Sequence, residues 1–297
     1  MADGEARLLL GAPIATEIRA SVRDDIARFA ERRGYAPTLA IVLVGRDAPS
    51  AVYLRQILRS CEVAGIDGRL VEIEIASDGQ AQADLEASVT GAIRALNDDP
   101  VVAGIIVQMP LPPSVRLRAV IDAIDPDKDI DGIHPLNAGL LRLGYEGFLP
   151  ATAHAAIELL HRYDIPIEGQ EAVVVGRSNV VGMPAAFMLV KEHATVTVCH
   201  SRTRDLAAHV RRADILVVAA GRPGLITGDM LRSGAVVIDV GINVVGDAIV
   251  GDVDFASAKL VAGAISPVPG GVGPVTNALL LTHLVRAAVR QADARPD

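Results

Sequence analysis

The residues best placed to do chemistry begin in the second half of the chain. "VVVGRSNVVGMP" (173–184) sets Gly176 after an apolar run and Gly182 before a helical pattern, with Arg177, Ser178 and Val181 in the turn. A glycine turn in that position lets backbone N–H groups approach a pyrophosphate, and the helix N-terminus favours its charge. The spacing is G-x(5)-G rather than G-x-G-x-x-G, and on spacing alone a plain strand-to-helix turn fits as well. The next apolar run ends in "CHSRT" (199–203), with Ser201 and Arg202 where an NAD-selective site carries an acid for the ribose 2′-hydroxyl. Arginine matches a phosphate dianion with its forked donors. Arg177 and Arg202 therefore point to NADP; the alternative is that both are solvated groups in an arginine-rich chain.

The first half offers fewer but more varied groups. "SAVYLRQILRSCEVAG" (50–65) reads as a helix with Tyr53 and Ile57 one turn apart. Leu54, Ile57, Leu58 and Cys61 make its apolar stripe, with Ile57 on the edge nearest Tyr53, a border that can face a cleft. Gln108 follows the apolar run "VAGIIV"; by residue type alone it is a strand-end capping group. Asp131, in "DKDIDG", is a carboxylate able to accept two hydrogen bonds or simply to shape the turn before Gly132.

These residues need a scaffold, and the pattern around them supplies one. Apolar runs at 38–45, 70–75, 102–110, 171–176, 195–200, 215–221 and 235–241 alternate with helical patterns near 12–33, 50–64, 82–97, 182–192, 203–212 and 275–291. Runs without polar alternation are strands buried on both faces, and a βα rhythm implies parallel sheets covered by helices. The series breaks at the Gly/Pro/Asp-rich passage 125–152. This predicts two α/β domains with parallel sheets, the C-terminal one Rossmann-like, and a cleft between them. Residues 1–148 plus 273–297 form the first domain and 149–272 the second, the last helix packing back on the first.

Composition narrows the class. The net charge is −8, aromatics are 3% and no basic block is present, which argues against nucleic acid as the main partner. No apolar run is expected to cross a bilayer, and the first residues do not resemble a secretory signal. Cys61 and Cys199 are far apart and outside any C-x-x-C or Cys/His cluster, so reduced thiols, no metal and a cytoplasmic setting are expected.

Five stretches agree with one family. "VQMPLP" (107–112), "DKDIDGIHPLNAGLL" (127–141), "GRSNVVGMP" (176–184), "HSRT" (200–203) and "SPVPGGVGPVTNALL" (266–280) resemble methylenetetrahydrofolate dehydrogenase/methenyltetrahydrofolate cyclohydrolase, in order, from about residue 8 to 290. The resemblance implies a folate domain, an NADP domain and a homodimer acting on tetrahydrofolate one-carbon derivatives. The implied reactions are oxidation of methylenetetrahydrofolate by hydride transfer to NADP, then hydration of the methenyl product. It also implies roles. Asp131 binds the pterin, Gln108 is the active-site amide, and Tyr53 stacks on the folate. Pro269, Gly270 and Gly271 lie against the folate, and Gly241 and Ile242 of "DVGIN" lie near the nicotinamide. Asp127 and Asp129 are read as loop or capping groups.

The sequence departs from the family at one chemical position. The family pattern is Y-x-x-x-K, and here the lysine is Ile57. An isoleucine carries no charge and moves no proton, whereas a positioned acid–base group contributes about 10²–10⁴-fold in such a step. Arg55 and Arg59 lie on other faces and stay protonated. Hydride transfer depends mainly on positioning. The expectation is therefore an NADP-dependent dehydrogenase with weak or absent cyclohydrolase. The alternatives are an ordinary bifunctional enzyme, a paralogue recruited to another one-carbon reaction, or a protein that only binds. The family's P-C-T-P-x-G segment becomes "PATAHA" (150–155), where Thr152 is expected to cap a helix and His154 to lie on its surface. Ser266 stands where threonine is usual.

Overall fold

The computed structural model describes residues 5–45, 48–75, 79–246 and 248–294. In chain order the elements are β1 (Arg7–Leu8), α1 (Gly11–Arg33), β2 (Thr38–Val44), α2 (Ala48–Ala64), β3 (Asp67–Ile73), α3 (Gly79–Asp98), β4 (Val102–Val107), α4 (Leu117–Ala123) and α5 (Pro135–Leu143). They continue with α6 (Ala151–Arg162), β5 (Glu171–Val175), α7 (Gly182–Lys191), β6 (Thr195–Cys199), α8 (Leu206–Val210), β7 (Ile215–Val218), β8 (Val236–Asp239), β9 (Asn243–Val245), β10 (Ala248–Val250), α9 (Phe255–Ala258), β11 (Ala264–Ile265) and α10 (Val272–Asp293). They form two compact units, one of Ile18–Leu140 and the residues from Leu280, the other of the residues up to Glu17 and Leu141–Leu279.

The first of these units carries a three-stranded parallel sheet in the order β3-β2-β4. β2 is central, and all seven of its residues are buried. Val42 and Val44 pack with Val89 and Ile93 of α3 and with Ile105 and Val107 of β4. β3 is an edge and only half-buried, so its run of apolar residues does not signal burial on both faces. The loop after α4 is drawn against α3 by Lys128, whose side chain is 2% exposed. Its Nζ donates to the carbonyls of Leu96, Asn97 and Asp99 at 3.0, 2.6 and 2.8 Å, capping a helix end whose last carbonyls lack partners within the helix.

The other unit carries a six-stranded sheet in the order β1-β11-β8-β7-β5-β6, parallel throughout. Val173, Val175, Leu216, Val218, Val237 and Ile265 form its core with Val210, Ala258 and Ala262. β1 pairs with β11, which groups the N-terminal residues with this sheet and not with the folate domain expected from the sequence. A two-residue strand is too short to show a period. The passage expected at 125–152 contains a nine-residue helix, α5. The helix expected at 203–212 is five residues long, starting after Asp205, which caps it through the Ala208 amide. α10 corrects the membrane expectation: it is long and apolar enough to cross a bilayer by composition, and 67% of its most apolar window is buried in the protein.

Candidate functional site

In the six-stranded unit, the expected cofactor and loop residues follow the carboxyl ends of β5, β6, β8 and β11, the edge where ligands bind in doubly wound sheets. The turn after β5 is shaped by contact without side chains. Gly176 has φ +125° and packs on the Ala219 carbonyl, and Gly182 packs on the Gly176 carbonyl. A Cβ on Gly182 would also come within 2.9 Å of the Arg177 nitrogen. Ser178 organises the start of α7: its Oγ accepts from the Val181 and Gly182 amides at 3.1 and 3.4 Å, and its carbonyl accepts from the Met183 amide at 3.0 Å. Three amides of the helix start are thus already engaged, a detail the spacing did not reveal. Arg177, Ser201 and Arg202 are exposed. The turn holding Ser201 and Arg202 is tied by His200, whose Nδ1 accepts from the Arg202 amide at 3.1 Å.

Two buried carboxylates behind this edge were not anticipated. Asp252 is 0% exposed; its carboxylate accepts from the amides of Ala220, Gly221 and Arg222 at 2.6, 2.8 and 2.8 Å and from Asn243 Nδ2 at 2.9 Å. Asp239, 3% exposed, accepts from the amides of Gly241, Asp252 and Val253 at 2.9, 3.0 and 2.9 Å. Burial pushes the Asp239 carboxyl up to about 6 despite those donors. Gly241 packs so closely on the Asp252 carboxylate that no side chain fits there, and Gly251 does the same on Asp239. Ser266 keeps a working hydroxyl: buried, it accepts from the Asp239 amide at 2.8 Å. The following loop has a cis Val268–Pro269 bond and Gly270 at φ +111°. The Gly270 carbonyl accepts from the Gly11 amide at 2.8 Å, and Gly271 leaves no room for a Cβ beside the Pro267 carbonyl at 2.8 Å. Ile242 is 69% exposed.

In the three-stranded unit, Gln108 follows β4, is 5% exposed, and donates its backbone N–H to the Val42 carbonyl at 2.9 Å. Asp131 lies in the loop that Lys128 anchors. Asp129, fully buried, caps α5 through the amides of Ile133 and His134 and holds Asn137 Nδ2 at 2.8 Å, as read from the sequence. On the other side of Asp131, His283 of α10 meets the Ile130 carbonyl at 2.8 Å through Nδ1. Asp131 itself is half-buried, and desolvation together with the nearby Asp129 charge pushes its carboxyl up to about 7. Tyr53 lies on α2, but its side chain falls outside the described residues.

Ile57 lies in the apolar stripe expected of α2. It is 3% exposed and lies inside the buried face with Leu54 and Cys61. That face rests on β3, where a Cβ on Gly68 would come within 3.0 Å of Leu58 and 3.3 Å of Cys61. Arg55 and Arg59 are exposed, on other faces as expected. The chain's three lysines have other places: Lys128 caps α3, Lys259 pairs with Glu5 at 3.0 Å, and Lys191 is exposed at the end of α7. Thr152 and His154 also differ from expectation. α6 starts at Ala151 with Pro150 as its cap, so Thr152 is inside the helix. His154 is half-buried, and burial holds its pKa below the usual range. No cluster of metal-ligating side chains is present among the described residues.

Comparison with known proteins agrees with both halves. Residues 9–131 match the tetrahydrofolate dehydrogenase/cyclohydrolase catalytic domain, and residues 150–292 match the NAD(P)-binding domain of the same family. The bifunctional protein FolD of Moorella thermoacetica is 51% identical over 286 residues, covering 96% of this chain and 99% of that protein. The FolD protein of Roseiflexus sp. is 49% identical over 98% of this chain and 99% of its own. Among solved structures, the Trypanosoma brucei methylenetetrahydrofolate dehydrogenase-cyclohydrolase, in complex with NADP and an inhibitor, superposes with a TM-score of 0.91 at 35% identity, over 99% of this chain and 100% of that one. The Campylobacter jejuni enzyme gives 0.90 at 39%, over 96% and 99%. With models matching both units and relatives identical at half of all positions, the chain belongs to the tetrahydrofolate dehydrogenase/cyclohydrolase family.

Proposed function

We propose that this protein oxidises 5,10-methylenetetrahydrofolate to the methenyl form with NADP, and that its cyclohydrolase activity is weak or absent. The observation that carries the second part is Ile57, buried in the apolar face of α2 one turn after Tyr53, where the motif resemblance implies a lysine. An alkyl side chain there fills space and cannot shuttle a proton to or from attacking water. The cradle after β5 supports the first part. Gly176 and Gly182 leave backbone surface that a Cβ would fill, and Arg177 and Arg202 are exposed at the carboxyl strand ends. NADP, when bound, supplies the hydride acceptor. The protein's own groups then have separable tasks. Asp131 accepts hydrogen bonds from the pterin edge and Gln108 orients polar atoms beside it. The Ser178 hydroxyl, whose oxygen accepts two amides, still has its proton to donate.

A second reading is an ordinary bifunctional enzyme; relatives of 49–51% identity carry the name bifunctional. One experiment separates the two. The protein is mixed with methylenetetrahydrofolate and NADP while reduced nicotinamide and the methenyl chromophore are followed together. The proposal expects stoichiometric methenyl accumulation decaying at the spontaneous rate; faster decay establishes the second reading. A homodimer and a cytoplasmic setting belong to the same proposal. The exposed apolar residues Val244, Val245 and Ile249 on the β9–β10 hairpin support self-association, and a monomer mass by light scattering refutes it.

A further inference from the structure

The buried carboxylates of the six-stranded unit do more than satisfy local amides. Four loops at the carboxyl edge of that sheet meet at or beside them. Asp252 gathers the loop after β7 by three successive amides and the start of β9 through Asn243. Asp239 holds the turn after β8 at Gly241 and the backbone of Asp252 and Val253. Ser266 joins the loop after β11 through the Asp239 amide. The glycine turn after β5 joins last, since Gly176 packs on the carbonyl of Ala219, the residue before the three amides. Burying a carboxylate costs several kcal/mol unless donors surround it. Placing two of them, with seven donors, behind one strand edge makes sense where fixed loop geometry matters.

We propose that Asp252, backed by Asp239, is a positioning residue for the dinucleotide: it holds the loop 219–222 and the turn 240–243 as one wall beside the Gly176–Gly182 turn. The inference rests on the reading of that edge as the NADP site and adds a residue to it. The three amides bound by Asp252 face inward to the carboxylate, so the wall presents its outer backbone to the ligand and Asp252 itself touches none.

The test is Asp252→Asn in the full chain. The substitution keeps shape but turns an NH₂ toward backbone donors. The readouts are NADPH affinity by fluorescence titration, the separate KM values for NADP and methylenetetrahydrofolate, and the melting temperature. The expected result is a dinucleotide Kd and KM raised about tenfold or more, with the folate KM within twofold, because one charge-assisted acceptor is worth about 1.5–3 kcal/mol. A lower melting temperature with unchanged dinucleotide affinity, or an equal rise in both KM values, overturns the proposal and leaves a purely structural role. If Asp252→Asn does not fold, Asn243→Ala removes a single donor and is expected to raise the NADPH Kd about threefold. Hydrogen exchange gives a reading without turnover. The amides of Ala220, Gly221 and Arg222 are expected to exchange slowly in the dinucleotide-free protein and faster in Asn243→Ala. Unprotected exchange in the parent protein, or an unchanged Kd in Asn243→Ala, refutes the wall. A parent protein that binds no NADPH removes the site reading and this proposal with it. Binding that survives Asp252→Asn unchanged removes this proposal alone.

Discussion

The two units build their sites from opposite materials. At the edge of the six-stranded sheet the work falls to backbone: glycines 176, 182, 241 and 251 sit where a Cβ would strike a carbonyl, an amide or a carboxylate, and buried aspartates fix the loops. In the three-stranded unit the residues proposed for chemistry are individual side chains, Gln108 after β4 and Asp131 in the loop before α5. The difference explains how position 57 takes an isoleucine without penalty to the fold. An apolar side chain completes the α2 stripe, whereas any side chain at Gly182 meets backbone that must shift to admit it. One site is intolerant of added atoms, the other of lost function.

The sharpest way to break that contrast is Gly182→Ala. One added methyl group collides with the Gly176 carbonyl and approaches the Arg177 nitrogen to 2.9 Å, so the turn must open. NADPH affinity is expected to fall on the order of 100-fold or more, the equivalent of about 3 kcal/mol, while folate binding in the other unit persists. Retained NADPH affinity by fluorescence titration would mean the turn is not the cradle. Next in size is Ile57→Lys. Methenyl hydrolysis is expected to rise about 10²-fold over the parent, at a cost of about 2–4 kcal/mol in stability, because an ammonium enters a site that is 3% exposed. Stopped-flow decay of the methenyl chromophore and a thermal melt check both halves. A stability loss with no gain in rate would show that more than one group has been lost.

The same contrast decides what was readable in advance. Motifs with a chemical reason had a readable place in the fold: the glycine turn after β5 and the arginine after β6 lie at strand ends, and the D-K-D-I-D-G loop lies between α4 and α5. Long apolar helices and central strands were legible too, since β2 is buried throughout and β5 at every residue after its first. Edge strands misled, because β3 and β6 carry the same β-branched residues with only half the burial. Asp239, Asp252 and Lys128 were invisible as anchors, since their donors and acceptors come from residues up to 32 positions away. The burial of Ile57 agrees with its place in the apolar stripe; helix periodicity fixes that face but not how far the neighbouring strand reaches around it.

Asp131 gives a milder test on the side-chain half. Burial and Asp129 hold its carboxyl at about 7, far above the ordinary aspartate value of 3.8. A pterin edge that donates two hydrogen bonds favours the ionised form, so its pKa falls on binding. Folate affinity is therefore full above about pH 7 and falls roughly tenfold for each pH unit below it, until the bound-state pKa is reached. The stability linkage runs the other way. A carboxyl whose folded pKa is raised costs stability that grows as pH climbs from about 4 to 7, so Asp131→Asn should raise the melting temperature at pH 8 while removing the pH dependence of folate binding. A flat kcat/KM profile for methylenetetrahydrofolate between pH 5.5 and 7.5, estimated as the window around that pKa, would separate Asp131 from the pterin.

The smallest effect is expected where a side chain serves the backbone-built site. Arg202 is exposed in a turn fixed by His200 and Thr203, so its position is set by backbone but its charge is shared with water. A solvated guanidinium gives less to a phosphate than a buried one, and Arg177 is a second candidate for the same group. Arg202→Ala is therefore expected to raise the KM for NADP only about five- to tenfold, to leave the KM for NAD within twofold, and to flatten the salt dependence of NADP binding. The preference between the two dinucleotides is the informative ratio. If both KM values rise together, Arg202 supports the turn and does not read the 2′-phosphate. If neither moves, it is a surface arginine, and the choice of NADP rests on Arg177 or on the loop after β7.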